Sequence, residues 1–323
     1  MTTLAPPLEA RPRIVPATNG ETADQTVYLL GRPTLRKFIR FMRGNAVNPP
    51  DEATLATQWQ AAHDHIRELE KTEAGLADNP VLTPITDLRE RYEPLLIEFF
   101  KDPLVRYGFN TVPTDIALVE LDRLVVYQKH IDVTHVEALK AKLGPAPSDE
   151  VIFRTCLSYD HPYPPVKWAK VHNDTYVFMS PSNDLRFLGT MPLKSEHIAN
   201  YPPPGSVVGV VGIAVGFGSN FLNAIHAEGR VILNNGSHRA YALRDLGVTH
   251  VPAIIQHVSS RDELELVASD EVQRNPDAYL KHARPSMLKD YFDPFLRTIT
   301  PVHRRTRQIT VKFEVDDAYV PAL

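Results

Sequence analysis

Apolar residues recur at helical spacing in the first third of the chain. In Thr34 to Arg43, Leu35, Phe38, Ile39 and Met42 share one face, with Arg and Lys between them. That is the i, i+3, i+4, i+7 pattern of an amphipathic helix. Asp51 to Ala77 carries Trp59, His63, Ile66 and Leu69 on one stripe, behind an aspartate suited to capping the helix start. A third helix is predicted over Asp87 to Lys101, whose run Leu95-Leu96-Ile97-Glu98-Phe99-Phe100 points to burial.

The period then changes to two. Asp115 to Val126 alternates like a strand entering a turn, and Asp132 to Leu143 reads as a helix closed by Gly144 and Pro145. Prolines punctuate 145 to 204, with a short strand at Thr175 to Met179. Strands at Arg230 to Asn234 and Val251 to Gln256 flank a helix at Arg239 to Leu246; Asp262 to Val272 looks helical, and Gln308 to Val315 alternates as an exposed strand. The expected architecture is α+β: a flexible tail over 1–26, a helical region over 27–108, a mixed-sheet domain over 109–280 with a large insertion at about 145–229, and an extension over 281–323 that ends in a strand.

Composition narrows the classes of function. The chain of 323 residues is 43% hydrophobic and 23% charged, with net charge -4. An acidic balance argues against non-specific nucleic-acid binding, which favours a basic face, so DNA is not an expected partner. The first sixteen residues hold four prolines and no apolar core of a secretory signal. Ser206 to Ile225 is uncharged over roughly the length that spans a bilayer. Gly209, Gly212, Gly216, Gly218, Asn220 and Asn223 interrupt it, so strand and turn are expected rather than a membrane helix. The single cysteine, Cys156, excludes an internal disulfide; a cytoplasmic location and a buried, inert thiol are expected.

Candidate chemistry centres on Asn234-Asn235-Gly236-Ser237-His238-Arg239. An apolar strand ends there and a helix starts at once. Free N–H groups and the helix dipole at such a start favour an anion. Gly236 permits close approach of the backbone, while Asn235, Ser237, His238 and Arg239 add donors. The plainer alternative is a strand–turn–helix with Ser237 as cap and Arg239 on a solvated face. Elsewhere, His161, His172, His197 and His226, with Asp160, Asp174 and Asp184 nearby, offer imidazole and carboxylate ligands without a tight metal-binding spacing.

The order Gly236, Arg239, Ala240, Ala242, Leu246, Gly247, Val251, Pro252, Ala253, Ile254 resembles the phosphate box of the ParB/sulfiredoxin-like superfamily. Two flanking segments extend the resemblance over about 113–280: Tyr127-Gln128-Lys129-His130-Ile131-Asp132 upstream, with His130 where the family has Arg, and Glu263 to Arg274 downstream. The resemblance implies a nucleoside triphosphate (ATP or CTP) with Mg2+. Asn235 to Arg239, Gln128 and Arg274 would face the phosphates, and Asp270 and Glu271 the metal. Ser237 replaces the nucleophilic cysteine of sulfiredoxins, and a hydroxyl does not substitute for a low-pKa thiolate. The short stretch after Arg274 leaves little room for the DNA-binding module of partition proteins.

The expected activity is therefore nucleotide-dependent phosphoryl transfer to, or hydrolysis on, a small-molecule substrate. Such chemistry rests on positioning and charge neutralisation. Glu271, Asp132 and His238 are the groups taken as catalytic, with Glu120 and Asp122 left open as bases. A homodimer also remains open, as do two other readings. One is an enzyme binding a non-nucleotide anion, with or without a metal; the other is a non-catalytic regulatory or nucleic-acid-binding protein.

Overall fold

A computed structural model describes residues 23–158, 164–182, 184–194, 205–218 and 220–320. In chain order the elements begin with β1 (Asp24–Leu29), α1 (Leu35–Asn45), α2 (Glu52–Thr72), β2 (Thr83–Pro84), α3 (Arg89–Phe99), α4 (Pro103–Gly108), β3 (Thr114–Glu120), β4 (His130–Asp132), α5 (Val133–Leu143) and α6 (Asp149–Cys156). They continue with β5 (Lys167–His172), β6 (Thr175–Ser180), β7 (Leu185–Leu193), β8 (Val210–Phe217), β9 (Asn223–Ala227), β10 (Arg230–Asn235), α7 (Ser237–Asp245) and β11 (His250–Val258). The chain closes with α8 (Arg261–Val267), α9 (Asp270–Arg274), α10 (Asp277–Leu280), β12 (Arg297–Val302) and β13 (Arg307–Lys312). The class is α+β. Among the described residues no helix is long and apolar enough to cross a membrane. The expected tail and the segments around His161 and His197 lie largely or wholly outside the described residues.

The central sheet has the order β10-β9-β11-β3-β2. β9 and β10 form an antiparallel hairpin, β11 runs parallel to β9, and β3 runs antiparallel to β11. Its apolar face joins α3, α5, α6 and α7 through Phe99, Val136, Phe153 and Leu243 in one core. A second cluster sits between α1, α2 and β1: Phe38 and Met42 meet Leu55, Ala62 and Ile66 beneath Tyr28. Asp51 caps α2 as expected, its Oδ1 accepting from Thr54 N at 2.8 Å.

Two placements depart from the pattern-based expectation. Asp24–Leu29, on the border of the tail and the helical region, is a strand. It pairs with β12 on one side and β4 on the other, and partners so distant leave no local signature. Within 145–229, α6 and β9 belong to the central core, because Ile152, Phe153, Cys156, Phe221 and Ala224 are buried there. Among the described residues, β5 to β8 stand apart from that core, as the β7–β8 hairpin and as the sheet β13-β6-β5.

Candidate functional site

The β10–α7 turn forms as its residues require. Gly236 takes φ +97°, in the left-handed region open to glycine, and its N–H donates to Asn235 Oδ1 at 2.8 Å. A Cβ there would lie 3.0 Å from Leu222 Cγ and 3.1 Å from Leu222 Cα. Gly236 is the N-cap and supplies no side-chain acceptor to α7. The capping hydrogen bonds start with Ala240 N, which reaches Gly236 O at 2.9 Å. The amides of the first turn are thus the donors that a helix start presents to an anion.

Segments far apart in sequence converge on this turn. Leu124 to Val126 lies along β10, with Val125 N donating to Val231 O and Leu233 N donating to Val125 O. The next residue, Tyr127, donates its hydroxyl to Asn234 O at 2.8 Å. Asn234 in turn donates Nδ2 to Val267 O at 3.2 Å, at the end of α8. Gln273 ties α9 to the same corner by donating to the carbonyls of Glu265 and Ala268. Lys129 Nζ sits 2.7 Å from Glu271 Oε1, and Lys37 of α1 approaches the same oxygen at 3.7 Å. The Lys129 hydrogen bond and the two ammonium charges hold the Glu271 carboxyl below the usual carboxylate range.

The other expected groups lie as follows. Arg239 is turned into the protein: Nη1 donates to the carbonyls of Thr155 (3.2 Å), Cys156 (3.3 Å) and Asn220 (2.5 Å). It clamps the end of α6 and the start of β9 onto α7, and burial pushes the guanidinium below its ordinary value. Asp270 and Arg274 are exposed and bonded to each other at 3.3 Å, apart from the Glu271–Lys129 pair. Gln128 donates Nε2 to His130 O at 3.1 Å, and its own carbonyl accepts from Tyr291. Ser237 is buried.

Asp132 and His238 do meet. Asp132 N donates to His238 Nε2 at 3.1 Å, and the Asp132 carboxylate caps α5 by accepting from His135 N at 3.0 Å. Burial, with His135, His130 and Arg239 nearby, pushes His238 down to about 3. The ring is neutral at physiological pH, and the nitrogen it turns toward Asp132 is occupied as an acceptor, so it is a weak base there. Glu120 and Arg123 approach at 4.0 Å, and Asp122 pairs with Arg244 at 2.9 Å. Glu271 is therefore the acidic side chain among the expected bases that stands beside cations at the convergence.

Burial pushes the Tyr127 hydroxyl above its ordinary value, and the Arg186 charge on the β7–β8 hairpin offsets this slightly. Arg186 is bonded to Asp184, which also accepts from Gly218 N at 3.1 Å. A Cβ on Gly218 would collide with its guanidinium at 2.6 Å. Cys156 is fully buried and its thiol is pushed up to about 12, consistent with a packing role. Among the described residues, no group of three or more His, Cys, Asp or Glu is arranged around a metal position. Compared with protein-family models, with curated proteins and with solved structures, the chain matches none.

Proposed function

We propose that this chain is a ParB/sulfiredoxin-like enzyme that binds a phosphate-bearing ligand at the start of α7, and that it transfers a phosphoryl group from a nucleoside triphosphate to a small molecule or hydrolyses one. The observation that carries the reading is the convergence of the three resembling segments on Asn234: Tyr127 bonds its carbonyl, its amide bonds Val267, and Lys129 meets Glu271. The first-turn amides of α7 supply donors, and Lys129 and Lys37 supply positive charge in excess of Glu271. A triphosphate fits that donor set. When bound, it supplies the phosphoryl group; the protein's part is to hold it in line and balance its charge.

Within this reading, Lys129 orients Glu271 and keeps it ionised; its depressed pKa makes it a weak base, so its part is to accept a hydrogen bond from an attacking hydroxyl or water and set its direction. Asp132 and His238 brace α5 against α7 and act as positioning residues. The cation assignment to Asp270 and Glu271 does not fit: one carboxylate is solvent-exposed beside Arg274 and the other is neutralised by two lysines.

One observation favours a second reading, an enzyme for a non-nucleotide anion on the same scaffold. Arg239, the cation expected to face a polyphosphate, is spent on backbone carbonyls. A site relying on Lys129 and Lys37 also suits a monophosphate or carboxylate. Equilibrium dialysis of the full chain with ATP, CTP and ADP separates the two. Binding of one of them, weakened in Lys129→Ala, supports the nucleotide reading; binding of none contradicts it.

A further inference from the structure

At the end of the central sheet opposite the α7 turn, two histidines face each other. His226 of β9 and His257 of β11 are register partners on parallel strands, so their side chains stand on the same face. Their Nδ1 atoms are 3.2 Å apart and their rings meet edge to face at 83°. The neighbouring strand β3 brings Asp115 Oδ1 to 3.2 Å from His257 Nε2. The pair borders a pocket of about 190 Å3, whose lining includes Pro113, Glu228, Ser259 and Glu263.

We propose that His226 and His257 form a binding site for a late first-row divalent cation, zinc being the reference case. The chemistry follows from three features of the geometry. A neutral His257 that donates Nε2–H to Asp115 presents a bare lone pair at Nδ1. This carboxylate–histidine arrangement is the one that orients metal-bound imidazoles. Two nitrogens that each lie about 2.0–2.1 Å from a tetrahedral zinc are about 3.3 Å apart, close to the separation here. Imidazole donors select zinc, copper or nickel over magnesium and calcium.

Glu228 is bonded to Arg261 at 2.7 Å, and Glu263 to the backbone and hydroxyl of Ser259. They add negative charge to the pocket without serving as ligands. With two protein ligands, the rest of the coordination shell belongs to water or to a small ligand in the pocket. The site is therefore exchangeable and open rather than structural. His226 stood out in sequence beside His161, His172 and His197; the partner the fold gives it is His257.

An N–H···N hydrogen bond between the rings satisfies the same 3.2 Å distance without an ion, so the test must separate the two. Zinc affinity of the full chain is measured by competition with a chromophoric chelator. The expected result is one bound zinc per chain, undisturbed by excess magnesium. Affinity should fall at least tenfold in His226→Gln and in His257→Gln, and by about 10–100-fold in Asp115→Asn. His303→Gln, at an exposed position, should leave it unchanged.

Cobalt titration of the unaltered protein, followed by histidine ring NMR signals, gives a reading that does not depend on variants folding. Paramagnetic shifts should appear first at His226 and His257. Zinc binding unchanged in both folded glutamine variants, no zinc bound, or cobalt shifts centred on other histidines would overturn the site. Each outcome is independent of nucleotide binding at the α7 turn.

Discussion

Lys129 Nζ and Glu271 Oε1 lie 2.7 Å apart, joining β4's leading edge to α9 across 142 residues of chain. The pair fixes a carboxylate on α9, whose corner with α8 is bonded to Asn234, and holds it ionised. Glu271→Gln should lower nucleotide turnover by up to about 10^2-fold, the scale of a lost orienting contact, with ligand affinity largely kept. Lys129→Ala should weaken affinity as well. Because the Glu271 pKa is depressed, the acid limb of kcat/KM should lie below the ordinary glutamate value of about 4.3. A limb near neutrality would contradict the assignment.

Arg239 should behave as a stabilising residue rather than a ligand contact. Its guanidinium satisfies three carbonyls around the end of α6 and the start of β9. Arg239→Ala leaves them without that donor, and a loss of about 3 kcal/mol is expected in urea unfolding, the scale of buried polar groups left unpaired. Ligand affinity of the folded fraction should change little. A stable, fully folded Arg239→Ala protein that has lost only ligand binding would place the side chain in the pocket after all.

Gly236→Ala tests the turn. The left-handed φ costs an alanine about 1–2 kcal/mol, and the added methyl meets Leu222 at 3.0 Å. A drop of roughly that size in unfolding free energy is expected, together with weaker anion binding as the first-turn amides shift.

His238 should give the protein an acid-sensitive stability. Its pKa is about 3 in the fold and about 6.5 when unfolded, so the unfolded chain binds more protons between those values. Stability therefore falls as pH drops through that window, by at most about 1.4 kcal/mol per pH unit for this group. His238→Gln should flatten the dependence of the urea midpoint between pH 7 and pH 4.5. His135, also pushed down by burial, should leave a smaller residual slope.

Much of this was legible in the chain. The Thr34–Arg43 stripe, the Asp51 cap and the strand–Gly236–helix turn are local, and local physics produced them. What local pattern could not show depends on distant partners. Asp24–Leu29 is a strand because β4 and β12 flank it. Arg239 has the spacing of an outward-facing residue, but the end of α6 and the approach to β9 cover it, and backbone carbonyls leave no trace in sequence. His238 is neutral because the fold buries it, and His135 and His130, from a segment about a hundred residues away, add to that effect.

The central claim is that a phosphate-bearing ligand sits on the first turn of α7. Titrating the 15N-labelled protein with ATP, CTP and inorganic phosphate, and following the Gly236, Ser237 and His238 amides, tests it most directly. Saturable shifts at these amides and at Lys129, larger for a nucleotide than for phosphate, are the expected result. Amides that stay in place at saturating concentrations of all three, or shifts confined to another surface, would contradict it.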